Sequence, residues 1–256
     1  MRRSHRQRRF RNIVAPPFKS PRFATYCLTK GEVAENEGDD VIRCDTNLNT
    51  FVIVDGSSRS YAPRKWAETV AMQLKGQPKI LAIDWGDIGV QFEESLGSAT
   101  SPRDSKLREV GSQATAIAMK FEAHDSGASI EMESIGDCFA LVCGALDPDM
   151  SGALLWPFNG ISEFPVSPHA LSSIEPHVNP EALRVDRFSV ASGDLVLLMS
   201  DALGRYACAE AARPSQLFEA FPFLRQKTTF AKWALRQREE GRIEDDDLSM
   251  IVVWVP

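Results

Sequence analysis

The 256-residue sequence predicts an α+β domain, and two features of its patterning carry that prediction. Short runs rich in apolar and β-branched residues recur between turn residues, as antiparallel strands do. Stretches with helical spacing lie between and after them, so strands and helices are expected to pack as layers. No repeat, low-complexity linker or second boundary interrupts the pattern. One domain over residues 22–256 is therefore expected behind a basic, flexible tail of residues 1–21.

The elements follow in order. Val41–Arg43 and Phe51–Val54 flank the polar TNLN, which predicts a hairpin. Pro63 opens a helix, PRKWAETVAMQLKG, in which Trp66, Val70 and Leu74 share one face and Gly76 marks the end. A second helix is expected within residues 104–120. In SIEMESIGDCFALVC, Ile130 and Met132 alternate with Glu131 and Glu133, Gly136-Asp137 resembles a turn, and CFALVC reads as the returning strand. Ala153–Phe158 adds a short strand, and residues 159–182, with four prolines, form the longest irregular stretch. Arg187–Ala191 and Leu195–Ser200 are strands about the turn Ser192-Gly193. Helices are expected over 207–221 and 228–240, and SMIVVWV closes the chain as a strand after EDDD.

Composition narrows the function classes. With 43% apolar and 25% charged residues the chain is neither disordered nor membrane-spanning. MRRSHRQRRFRN has no apolar segment behind it, so it is not a secretory signal, and a cytoplasmic protein is expected. Six arginines and no acid lie in residues 1–12, while the remaining 23 basic and 35 acidic residues leave the body at −12. That arm lacks the aromatic interleaving of base-stacking segments, so nucleic acid is not the expected partner. Cys27, Cys44, Cys138, Cys143 and Cys208 form no CxxC pair and none has the Cys-x5-Arg spacing of cysteine phosphatases. GxxxxGK[ST] and HExxH are both absent.

Three carboxylate sites share one pattern. Phe51–Val54 runs into Asp55-Gly56, Leu195–Met199 runs towards Asp201, and Asp245–Asp247 runs into the terminal strand. Carboxylates at the ends of buried strands sit on rigid supports, and several together repel unless a cation neutralises them. Oxygen-only donors of this type suit Mg²⁺ or Mn²⁺. Each pattern taken alone is equally a turn or a solvated loop.

Taken in order, FVIVDG, IGDCFALV, GDLVLLMSDALGRY and DDDLSMIVVWV resemble the type 2C (PPM) family of metal-dependent protein phosphatases. DGSSRSYAPRKWAE is similar to a bacterial branch of it. The resemblance implies a four-layer sandwich of two mostly antiparallel sheets flanked by helices. It also implies a metal-dependent serine/threonine phosphatase holding two Mn²⁺ or Mg²⁺ ions, with a weaker third. By matching position, Asp55 would bridge the two ions, the Gly56 carbonyl would bind one, and Asp201 and Asp246 would ligate the other. Asp137 would serve the third. The N-terminal landmark is ambiguous across AENEGDD, where Glu37, Asp39 and Asp40 compete. Hydrolysis by direct attack of a metal-bridging hydroxide, with no protein nucleophile, is the chemistry implied.

The match departs from the family in three places. Ala202 replaces a glycine, Cys138-Phe139 replaces Ser-Arg, and Val33 stands where an arginine usually grips the substrate phosphate. Arg59 and Arg64, with Lys30, are the cations that could take over that grip. The implied partners are a phosphorylated protein and a cognate kinase, and a monomer is expected. The alternative is a catalytically weak or inactive binding module on the same fold, in a kinase/phosphatase signalling system.

Overall fold

A computed structural model of the chain describes residues 21–31, 38–98, 101–124, 127–144, 153–175, 177–210, 217–226 and 228–256. Its strands form two sheets, antiparallel throughout. The first runs β1 (Arg22–Leu28), β11 (Leu248–Trp254), β10 (Leu195–Met199), β6 (Phe139–Cys143), β7 (Leu154–Trp156). The second runs β2 (Asp40–Asp45), β3 (Thr50–Gly56), β4 (Gln113–His124), β5 (Gly127–Ile135), β9 (Leu183–Val190), with β8 (Leu171–Ser172) paired to the start of β4.

The period of two along each strand explains the layers. In β11, Ile251 and Val253 face the second sheet, where they meet Ile53 and Ile117, whereas Leu248, Met250 and Val252 face helices. Those helices are α4 (Asp201–Glu210), α5 (Leu217–Ala220) and α6 (Phe230–Glu239). The second sheet turns Val52, Val54 and Ala116 outward against α1 (Pro63–Gly76) and α2 (Trp85–Ser95). Helices, sheet, sheet and helices make the expected four layers. Both faces of the central strands are buried, so these read as continuous apolar runs.

The hairpin at 40–56, the helix at 63–76, the last helix and the terminal strand lie where the sequence placed them. Three expectations need correction. Only the first part of 104–120 is helical, as α3 (Pro102–Val110); β4 takes the rest, its Ala114, Ala116 and Ala118 leaving room for α1 while Ile117, Met119 and Phe121 fill the space between sheets. Gly136-Asp137 does not turn a hairpin: β5 and β6 belong to different sheets, and the dipeptide carries the chain between them. Ser192-Gly193 does turn the chain as expected, the Asp194 amide donating to the Ala191 carbonyl at 3.1 Å, and leads from β9 in one sheet to β10 in the other. The helix expected from residue 207 begins at Asp201, and residues 211–216 lie outside those described.

Apart from the two-residue β8 and short 3₁₀ turns, two elements were not anticipated. The edge strand β1 is one. The other is α2, whose Gly86 and Gly89 weaken its helical signal; Asp84 caps it by accepting from the Gly86 and Asp87 amides, and a Cβ at Gly89 would stand 2.3 Å from the Ser173 carbonyl oxygen. The tail, residues 1–20, lies outside the described residues.

Candidate metal centre

Antiparallel pairing brings separated segments to one end of the sandwich. Asp40 opens β2 and lies directly opposite Asp55 near the end of β3, so their side chains share a face. Asp55 in turn lies opposite Thr115 at the start of β4. In the other sheet Met199, which ends β10, pairs with Met250 near the start of β11, setting Asp201 beside Asp246 and Asp247. The amide of Ser200 donates to the Ser249 carbonyl and the amide of Ser249 to Ser200 Oγ, both at 3.0 Å, locking the two strand ends together. The crossing between sheets delivers Asp137 to the same place.

The carboxylates sense one another. Both oxygens of Asp40, which is 8% exposed, lack a hydrogen-bond partner of normal geometry. Burial first and the Asp247 charge next push its pKa up to about 7, with the Ser249 and Ser200 hydroxyls offsetting part of the rise. Asp55 is held well above the usual carboxylate range by burial and by the charges of Asp40, Asp201, Asp137 and Asp246. Burial, with Asp137 and Asp246, lifts Asp201 to about 6; the Ala202 amide and Arg205 oppose this. Asp137 is raised by burial and lowered in part by Arg205 and Thr115. Like charges gathered out of water disfavour ionisation in this way.

Each carboxylate has a structural mount. Asp201 is the first residue of α4, accepts from the Ala202 amide at 2.6 Å, and stands 3.8 Å from Arg205 one turn on. Ala202 is helical, so the glycine it replaces costs nothing in left-handed strain. Gly56 is tightly enclosed: a Cβ there would stand 2.8 Å from the Pro63 carbonyl oxygen and 2.9 Å from that of Asp39. Glycine is thus required where β3, α1 and the Asp39 segment meet. Cys138 is buried against Thr115 Oγ1 at 3.5 Å, its thiol pushed up by burial and then by Asp55. It packs the floor of the site and is not poised as a thiolate.

The three candidate cations are placed differently from one another. Arg64 points its Nη1 at the carbonyls of Gly38, 2.7 Å, and Asp40, 2.8 Å, and its Nε lies 3.1 Å from Glu68. It holds the backbone that carries Asp40. Arg59 is exposed in the turn after β3. Lys30 instead sends its ammonium to the edge of this carboxylate cluster, 3.2 Å from Asp39 Oδ2, 2.5 Å from Ser58 Oγ and 3.9 Å from Asp246 Oδ1.

Asp247 is a clamp that sequence reasoning missed, because it reads as one of a solvated acidic run. It is buried and accepts from the amides of Lys30, 2.7 Å, and Asp39, 2.5 Å, tying together the chain on both sides of residues 32–37. Arg238 braces the same loop, donating to the Thr29 and Asp246 carbonyls. Glu37 and Val33 lie outside the described residues.

Among the described residues no three His, Cys, Asp or Glu side chains close around a single point at ligating distance. Asp40, Asp55, Asp137, Asp201 and Asp246 form a looser ring, coupled through charge. The donors nevertheless fit a hard divalent cation. All are oxygen, those of Asp40 are buried and unpartnered, and a divalent charge would relieve their repulsion.

No protein-family model and no curated protein matches the sequence. Solved structures do match the fold. A serine/threonine phosphatase, Stp1 from Staphylococcus aureus, superposes with a TM-score of 0.60 over 93% of this chain and 96% of its own, at 14% identity. PppA, a regulatory component of the type VI secretion system in Pseudomonas aeruginosa, gives 0.58 over 93% and 99%, at 15%. The catalytic domain of the serine/threonine protein phosphatase PstP, solved with two manganese ions, gives 0.56 over 91% and 97%, at 16%. The chain has the fold of the bacterial type 2C serine/threonine phosphatases.

Proposed function

We propose that the protein is a metal-dependent serine/threonine phosphatase acting on phosphorylated polypeptides. The observation that carries this reading is the meeting of Asp40, Asp55, Asp137, Asp201 and Asp246 at one end of a type 2C sandwich, with Asp40 buried and unpartnered. In this reading Asp55, Asp201, Asp246 and the Gly56 carbonyl hold two Mn²⁺ or Mg²⁺ ions, and Asp40 contributes from the strand opposite Asp55. Asp137 serves a weaker third ion, and Glu37 completes the set from outside the described residues. When bound, the ions supply Lewis-acid neutralisation of phosphoryl oxygens and acidify water.

This chain's own residues supply placement. Ser200, Ser249 and Arg238 fix the two strand ends that carry Asp201 and Asp246, so the carboxylates do not reorganise as charge develops. Arg64 positions Asp40 through its backbone. Of the three expected cations, Lys30 takes the phosphate grip in this reading: its ammonium lies 3.2 Å from Asp39, 2.5 Å from Ser58 Oγ and 3.9 Å from Asp246. An ammonium binds phosphate as a point charge and not as a fork. Lys30→Ala is therefore expected to raise KM for a phosphothreonine peptide about 10-fold with a smaller change in kcat. Lys30→Arg should restore KM; steady-state kinetics on the three proteins decides, and an unchanged KM in Lys30→Ala returns the grip to another residue.

Metal-stripped protein assayed on a phosphothreonine peptide, with and without Mn²⁺, tests the function. Hydrolysis that appears with Mn²⁺ is the expected outcome. Silence in a folded, Mn²⁺-saturated sample favours the binding-module alternative.

A further inference from the structure

A groove of about 320 Å³ includes, in its lining, the residue next to Asp137. That lining residue is Gly136, which precedes Asp137. Gly136 has φ +92°, and a Cβ there would stand 2.3 Å from the Thr115 side chain and 2.9 Å from the His169 carbonyl oxygen. The irregular stretch is therefore pressed onto the turn that carries Asp137.

One wall is anchored to the other side of the ring. Phe164 is buried, stacks on Phe139 at 5.7 Å and Phe158 at 4.6 Å, and lies under the Arg205 guanidinium at 4.9 Å; Arg205 in turn pairs with Asp201. The segment that supplies Glu163 and Pro165 is thus tied through Phe164 and Arg205 to Asp201, as Gly136 ties the groove to Asp137. Its size falls in the range of ligand sites.

Its lining carries two carboxylates against one guanidinium, with one imidazole. Glu163 and Glu181, both exposed, line it together with Arg184 and His169; Arg184 donates to the Glu181 carbonyl at 3.3 Å, and Glu163 Oε2 accepts from the Asn159 amide at 2.9 Å. Ile161 and Val166, on the stretch that forms the first wall, are half-exposed and fully exposed. Such a surface repels a phosphate and favours a cationic chain beside it.

We infer that this groove receives the polypeptide next to the phosphorylated residue and selects a basic side chain there, an inference that rests on the phosphatase reading above. Two exposed carboxylates acting on one guanidinium amount to about a 10-fold preference.

The test uses the Mn²⁺-loaded full chain and three phosphothreonine peptides differing only in Arg, Ala or Glu at the flanking positions. p-Nitrophenyl phosphate, which has no flanking chain, serves as the control substrate. The wild type should favour the Arg peptide over the Glu peptide about 10-fold in kcat/KM. In Glu163→Gln/Glu181→Gln that ratio should fall below about 3-fold while p-nitrophenyl phosphate turnover is unchanged. Equal use of the peptides by the wild type, or a preference that survives in the variant, overturns the inference. Failure on p-nitrophenyl phosphate as well defeats the phosphatase reading instead. The groove is then judged by fluorescence binding of the same Arg and Glu peptides to both proteins, where equal affinities overturn it.

Discussion

Asp201→Asn will lower Mn²⁺-dependent kcat/KM on the order of 1,000-fold without destabilising the metal-free protein. The two halves of this expectation have one cause. Asp201 stands in the field of Asp137 and Asp246, which is why its pKa is raised. Asparagine removes a repelled charge but keeps an oxygen to accept from the Ala202 amide at the start of α4. What is lost is the pair with Arg205, an i,i+4 contact of about 0.5 kcal/mol, and the guanidinium keeps its stack on Phe164. Thermal unfolding in chelator should therefore show a Tm equal to or above that of the wild type. Undiminished turnover in this variant would remove Asp201 from the catalytic set.

Metal-free protein will be less stable at pH 8 than at pH 5, by about 5 °C in Tm, and Mn²⁺ will reverse the difference. An aspartate titrates near 3.9 in the unfolded chain, whereas Asp40 is raised to about 7 and Asp201 to about 6 in the fold. Between those values the native state holds more protons than the unfolded state. Raising the pH strips them from the native carboxylates against repulsion, so stability falls through the window from about pH 4 to about pH 7. Above it the penalty is constant, and it is there that a divalent cation has most to neutralise. Asp40→Asn should flatten the metal-free profile. A profile that rises from pH 5 to pH 8, identical in wild type and Asp40→Asn, would contradict the crowding of these carboxylates.

Much of the carboxylate cluster is legible in sequence because several of its members ride on local patterns. Asp55-Gly56 and Asp201 follow apolar runs, and Asp246 precedes one; such runs are visible without knowing what they pair with. The cations were less legible. Lys30 and Arg64 differ only in where tertiary structure sends long side chains, one to the edge of the carboxylate cluster and the other onto the Gly38 and Asp40 carbonyls. Asp247 was hidden for a similar reason, since one carboxylate in EDDD looks like the next until backbone amides from residues 30 and 39 arrive to meet it. Arg205, by contrast, lies four residues beyond Asp201 on what proves to be one helix, a spacing that could have flagged it.

The sequence by itself determined the layered α+β class, the apolar strands, the helix with Trp66, Val70 and Leu74 on its face, and the order of the carboxylate landmarks. Periodicity and strand ends are local properties, and local physics writes them into the chain. Tertiary structure alone decided that Gly136-Asp137 crosses between sheets, that QATAIAMKFEAH is a strand against α1, and that five aspartates crowd one end of the sandwich. An alanine-rich segment satisfies helix and strand equally until a partner face selects one. A charge acquires its perturbation only when residues distant in sequence share the same low-dielectric space.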